Sequence, residues 1–228
     1  MKTEALPVHV EHDLVWLWFG DLQPGRPIPW FDDLGPDDSV VTVTGTYACH
    51  LTRFMENAMD VHHFAFVHRW LLPFVGSWVQ AGPVEADGRR IRAEGRLVAN
   101  PGERGRRPTS FSIELRMPTL VRVATAGIDL VAAACPMDEA RTWVAARYYR
   151  PRLGSGRLAR ATSWLGAQAD WQTAQRQDRR ILESIRPAIG SPHANMAVGA
   201  DRLISLWYRE WFGSGQVDTV LETAFGVG

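Results

Sequence analysis

Between residues 76 and 150 the chain passes through one strand-like run after another with no helical period between them. That stretch restricts its fold more than any other. Ile91–Val98, Phe111–Leu115, Leu120–Thr125, Ile128–Ala134 and Thr142–Tyr149 are short, rich in β-formers and bounded by turn residues. Asp87-Gly88 and the stretch 101–108 between two prolines supply the punctuation. Five or six consecutive strands without intervening helices predict an antiparallel meander. Upstream, Val8 to Phe19 alternates and reads as one or two strands, Gly20 to Asp38 as a loop, and Val40 to Tyr47 as a strand. Leu51–His68 follows a helical period. A long helix is expected from about Ser155 to Arg186, closed by Pro187, and a short one from Asp201 to Phe212. The expected class is α+β: one antiparallel sheet with a long helix across a face.

Composition removes several functions. At 228 residues the chain suffices for one domain, or one domain with a small appendage. Basic and acidic residues both number 25, whereas nucleic-acid binders usually carry a basic excess. The only basic cluster, Arg89-Arg90-x-Arg92 with Arg104, Arg106 and Arg107, flanks turns and reads as a solvated loop. No apolar run reaches the ~18–20 residues of a membrane helix. Met1 to His12 lacks a signal-peptide layout, so a cytoplasmic protein is expected. Two cysteines, Cys49 and Cys135, are too few for a disulfide framework or a cysteine-type zinc site. Neither lies in the Cys-x-His or Cys-x-x-His spacing of a Rieske cluster, so no iron–sulfur cluster is expected in this chain.

The chemistry concentrates in Asn57-Ala-Met-Asp60-Val-His62-His63-Phe64-Ala-Phe66-Val-His68. Two imidazoles beside a carboxylate suit a divalent transition metal. A pair of packed, hydrogen-bonded histidines is the alternative reading. On a regular helix His63 and His68 would lie about 140° apart, so they can share an ion only if the helix ends or distorts between them. Asp60 and His63 are i,i+3, which suits a carboxylate that holds the imidazole N–H and fixes its tautomer. His62 points off that face and is the weaker ligand candidate.

A third ligand emerges from a carboxylate in an apolar stripe. Trp164, Ala167, Trp171, Ala174, Asp178, Ile181 and Ile185 recur at helical spacing, which places Asp178 on the face turned to the core. A buried unpaired carboxylate is very costly, so Asp178 must meet a cation: a metal, or Arg209. Asp170 and Glu183 fall off the stripe and are expected in solvent. Two histidines and one carboxylate leave half an octahedron open, the arrangement of non-haem iron oxygen chemistry.

Glu56-Asn57-x-x-Asp60-x-x-His63-x4-His68 resembles the iron-site motif in the catalytic domain of Rieske non-haem iron oxygenases, with the spacing of the vanillate demethylase and pheophorbide oxygenase branch. Gln177-Asp178-Arg-Arg-Ile-Leu-Glu183 resembles the segment of that branch bearing the iron-binding aspartate. Val10 to Asp21 resembles the last strands of a Rieske domain, giving residues 1–38 as its remnant and 39–228 as the catalytic domain. The resemblance implies a helix-grip (START/Bet v 1-like) fold with a pocket between sheet and helix, where Phe64, Phe66, Trp70, Trp78 and Trp171 are the candidate walls. It implies Fe(II) on His63, His68 and Asp178, with Asn57 near the iron. Asp60 matches the acidic residue linking cluster and iron across a subunit boundary. The implied activity is hydroxylation or oxidative dealkylation of an apolar or aromatic small molecule. With no cluster-binding part in the sequence, electrons are expected from a separate Rieske iron–sulfur protein and reductase, within a homotrimer or hetero-oligomer. The donor is expected to dock around Asp60 and on the strands Val8–Phe19, where Trp16 and Trp18 share a face and are read either as interface anchors or as core packing. The alternatives are a helix-grip ligand-binding protein and a non-redox iron enzyme.

Overall fold

A computed structural model describes residues 5–18, 27–34, 40–71, 73–125, 128–149, 156–191 and 201–213. The chain divides into two compact units, Met1–Phe31 and Asp32–Gly228. In the first, β1 (Val8–Glu11) and β2 (Leu14–Leu17) form an antiparallel hairpin. Its two turn residues, His12 and Asp13, both take φ 55°, the left-handed backbone of a tight two-residue hairpin. Val8 pairs with Leu17 and Val10 with Val15, so one face carries four apolar side chains, all exposed. Trp16 lies on the other face, donating its indole N–H to the Glu11 carbonyl and meeting Trp30 edge-on. The exposed apolar face is therefore the valine–leucine one, and Trp16 and Trp18 are half-buried, between the anchor and core readings.

The second unit is built on a seven-stranded antiparallel sheet. Its strands are β3 (Val40–Tyr47), β4 (Trp78–Asp87), β5 (Arg90–Val98), β6 (Thr109–Arg116), β7 (Leu120–Thr125), β8 (Ile128–Asp138) and β9 (Arg141–Tyr149). Spatial order is β3-β9-β8-β7-β6-β5-β4, so β4 to β9 form the expected meander and β3 returns beside β9. Gly88, at φ 56°, turns the β4–β5 hairpin after Asp87. Pro83 sits in β4 where the register slips between Ala81 and Val84, a place open to proline because β4 is an edge. Alternate residues face the core: Ile91, Ala93 and Leu97 from β5, and Phe111, Ile113 and Leu115 from β6. Arg90 and Arg92, from the basic cluster, meet Glu114 and Glu94 on the sheet.

Because β3 and β4 are opposite edges, the chain between them must cross the sheet. It does so as α1 (Leu51–Met59) and α2 (His62–Phe66). His50 caps α1, its Nδ1 accepting the Thr52 N–H at 3.2 Å. The expected long helix is two helices, α3 (Arg157–Gln172) and α4 (Ala174–Ser184), broken at Thr173 with φ −115° and ψ −79°. Thr173 turns its hydroxyl back onto the Ala169 carbonyl, a local bond that competes with helical continuation. The buried stripe departs from the expected one at two positions, while Ile185 at its end still packs on the core. Ser163 and Leu182 are buried, while Trp164 and Ile181 are exposed. Finally α5 (Arg202–Gly213) buries Leu203, Trp207, Tyr208 and Trp211. No helix among the described residues is long and apolar enough to cross a membrane.

Candidate metal centre

The segment after α1 supplies two imidazoles because the helix stops twice. The α1 helix ends at Asp60, whose N–H still bonds Glu56 and Asn57 but whose ψ of 110° leaves the helix. The short α2 then carries His63 and ends at Phe66, placing His68 in the turn beyond. With regular helix lost between them, the rings converge, their centroids 5.1 Å apart at 78°. Asp178 enters from α4. Its carboxylate oxygen Oδ1 stands 3.2 Å from His68 Nε2 and 3.8 Å from His63 Nε2, and all three residues are buried.

Hydrogen bonds on the far side of each ring fix which nitrogen faces the centre. His63 donates Nδ1–H to the Asp60 backbone carbonyl, and His68 donates Nδ1–H to Gln177 Oε1 at 2.9 Å. Each neutral ring then presents a bare Nε2 lone pair to Asp178 Oδ1, which itself accepts no hydrogen bond. Three buried acceptors face one another, and only a proton or a metal ion resolves that conflict. Burial alone would lower the basicity of His68, yet the Asp178 carboxylate and Gln177 raise it above an ordinary imidazole; for His63 the loss of hydration outweighs the carboxylates and its basicity is lowered. The three donor atoms lie within 4.8 Å of one another. Donors bound at about 2.0–2.2 Å on adjacent octahedral positions stand about 3 Å apart, near the 3.2 and 3.8 Å from Asp178 Oδ1 to the two Nε2 atoms, so the set fits a small transition-metal ion with a small inward adjustment.

Several expected residues take other places. The Asp60 carboxylate does not hold His63; it accepts the His62 N–H at 2.8 Å, and the backbone carbonyl takes the imidazole. His62 stays outside the cluster, with Nε2 buried and without a hydrogen-bond partner. Asn57 is half-buried in the last turn of α1. Arg209 is 67% exposed against Glu210, so it does not neutralise Asp178. Of the candidate pocket walls, Phe64 packs on the core and against the His63 ring, 4.3 Å between centroids. Phe66, Trp70 and Trp78 are exposed at 68%, 77% and 58%, so they lie on the surface rather than between sheet and helix. Trp171 packs edge-on to Tyr47 and lines a groove of about 280 Å³ with Arg176, Arg179, Arg180 and Glu183. Arg176, Arg180 and Glu183 sit on the side of α4 turned away from Asp178, and Arg179 lies over the Tyr47 ring. Glu183 is exposed, as its spacing implied.

Asp170 is the clearest departure. Expected in solvent, it is half-buried and accepts the Tyr148 hydroxyl at 2.5 Å and the Gln175 amide at 3.3 Å. Gln175 in turn accepts the Tyr47 hydroxyl at 2.7 Å. Burial holds the Asp170 carboxyl above the usual carboxylate range. This network pins the α3–α4 joint to β3 and β9, and so sets where Asp178 stands. Sequence reasoning missed it because the helical phase is reset at Thr173, which no simple period reveals.

No family model and no curated protein matches the chain. Solved structures do, oxygenases among them. Dicamba monooxygenase bound to 3,6-dichlorosalicylic acid superposes with a TM-score of 0.71 at 19% identity, over 94% of this chain and 71% of that one. The terminal oxygenase of carbazole 1,9a-dioxygenase from Nocardioides aromaticivorans IC177 gives 0.69 at 13%, over 95% and 69%. NdmB of Pseudomonas putida CBB5 gives 0.65 at 22%, over 94% and 61%. The chain thus has the fold of terminal-oxygenase catalytic domains while spanning about 60–70% of the length of these neighbours.

Proposed function

We propose that this chain is the cytoplasmic catalytic component of a mononuclear non-haem iron oxygenase, with Fe(II) held by His63, His68 and Asp178. The observation that carries the reading is the meeting of two tautomer-fixed Nε2 lone pairs with a buried carboxylate oxygen that no donor satisfies. When bound, the iron would supply O2 binding and reduction at its open positions. The protein's part is to hold three donors on one side, keep both rings in the Nδ1–H tautomer, and exclude water through burial. An apolar or aromatic small molecule is the substrate class. In hydroxylation one oxygen atom of O2 enters a C–H bond, and the other leaves as water after two electrons and two protons arrive from outside.

Those electrons need a donor. Neither Cys49, which is buried, nor Cys135 has a histidine at Rieske spacing. The donor in this reading is a separate Rieske iron–sulfur protein with its reductase, in a homotrimer or hetero-oligomer. Residues 1–38 correspond to the end of a Rieske domain and 39–228 to the catalytic domain. The apolar face of Val8, Val10, Val15 and Leu17 is one contact for the donor, and Asp60 another. The test is turnover of the iron-loaded chain with dicamba, caffeine and carbazole as first probes, with and without a Rieske protein and reductase. Single-turnover product alone, rising to sustained turnover with the iron–sulfur protein, is expected. Sustained NADH-linked turnover with a reductase only would overturn the electron path. Tight binding of an apolar ligand by a chain that takes up no iron would favour a ligand-binding protein instead.

A further inference from the structure

We propose that Gln177 is a positioning residue for the metal centre: its side-chain carbonyl holds His68 in the tautomer and orientation that present Nε2 to the ion. The inference rests on the metal reading above and adds a residue to it. His68 lies in a turn, outside any helix, so its backbone alone does not orient the ring. The hydrogen bond from His68 Nδ1–H to Gln177 Oε1, 2.9 Å long, comes from an element 109 residues away. His63 has a different support, the carbonyl of Asp60 three residues before it. One ring is thus held by its own local backbone and the other by a side chain that can be replaced.

Gln177 and Asp178 are consecutive on α4, which gives the pairing a further consequence. The same turn of helix delivers a metal-facing oxygen to one side of His68 and an acceptor to the other. One rigid element thus faces both ring nitrogens: Gln177 Oε1 accepts Nδ1–H at 2.9 Å, and Asp178 Oδ1 stands 3.2 Å from Nε2, with the ion's place between them. Any shift of α4 moves Asp178 and Gln177 together, so the two stay in step around His68. A carboxamide also suits the task because it accepts a hydrogen bond without adding a second buried negative charge beside Asp178. Losing such a support typically costs 10–100-fold in metal affinity.

The test uses Co(II) as a spectroscopic substitute in wild type, Gln177→Leu and Gln177→Glu, with circular dichroism to establish the fold of each. Wild type should bind one Co(II) and show two solvent-exchangeable, hyperfine-shifted imidazole N–H proton resonances, one per histidine. Gln177→Leu should lose or shift one of them and weaken Co(II) binding about 10–100-fold. Gln177→Glu keeps an acceptor and should keep both resonances, with affinity near or above wild type. A folded Gln177→Leu with both resonances unmoved and wild-type affinity would overturn the role of Gln177. Failure of wild type itself to bind Co(II) or Fe(II) would instead overturn the metal reading.

Discussion

Two buried clusters of acid and base join the α1–α2 region to the C-terminal third of the chain, and they differ at one oxygen. In the first, Arg53 Nη1 lies 2.6 Å from Glu56 Oε2, and the Tyr208 hydroxyl donates to Glu56 Oε1 at 2.5 Å. Arg53 Nε–H and an Nη2–H donate to the Pro187 carbonyl at 3.0 and 2.7 Å. Both carboxylate oxygens have donors supplied by the protein. In the second cluster, Asp178 Oδ1 faces two imidazole nitrogens whose protons sit on the other side of each ring, and it has no donor. A satisfied buried pair is structure, since removing one partner exposes the full cost of the other. An arrangement of acceptors without a donor, held in place by supporting hydrogen bonds, is a site made for something that arrives later.

That contrast can be broken most severely at the ligands. His63→Ala, His68→Ala and Asp178→Ala should each lower iron affinity more than about 100-fold, beyond the loss of a supporting hydrogen bond. Metal-free Asp178→Asn should be at least as stable to urea as metal-free wild type, because it removes a buried charge whose Oδ1 has no protein donor. The mirror experiment is Glu56→Ala, which leaves the Arg53 guanidinium buried without its carboxylate. It should cost about 3–5 kcal/mol in urea unfolding while the remaining folded protein binds iron normally. If Glu56→Ala empties the site and Asp178→Ala unfolds the protein, the two clusters have been assigned the wrong way round.

Smaller effects separate the near neighbours. Asp60→Asn can still accept the His62 N–H, and its backbone carbonyl still holds His63, so iron content by metal analysis should not change. Slowed electron delivery with iron retained would favour a donor-facing role for that carboxylate. His62→Ala should keep its iron as well. Loss of iron in His62→Ala, with the fold intact, would place the wrong histidine in the centre.

The sheet was readable because alternation and turns repeat through Ile91–Val98, Phe111–Leu115, Leu120–Thr125 and Thr142–Tyr149, where every strand reports the same face independently. Asp178 was readable for a related reason: a charge in an apolar stripe is conspicuous whatever the exact phase. The companions of Asp178 were not. The stripe assumes one continuous helix; with a break at Thr173, Ser163 and Leu182 are buried in place of Trp164 and Ile181, and Asp170 turns toward Tyr148. The support of His63 was missed because i,i+3 spacing pointed to the Asp60 side chain. The helix ends at Asp60, which offers its carbonyl instead. Gln177 carried no signal beyond its place in a motif, since a contact to His68 across 109 residues is written only in the fold.

The central claim is that the unpaired oxygen of Asp178 and the two bare imidazole nitrogens form one metal site. Anaerobic titration of the purified, metal-stripped chain with Fe(II), followed by removal of loose metal and quantification of what remains, tests it most directly. The account predicts about one iron retained per wild-type chain and none above background in folded Asp178→Asn. Equal iron in the two proteins, or no retained iron in wild type, would contradict it.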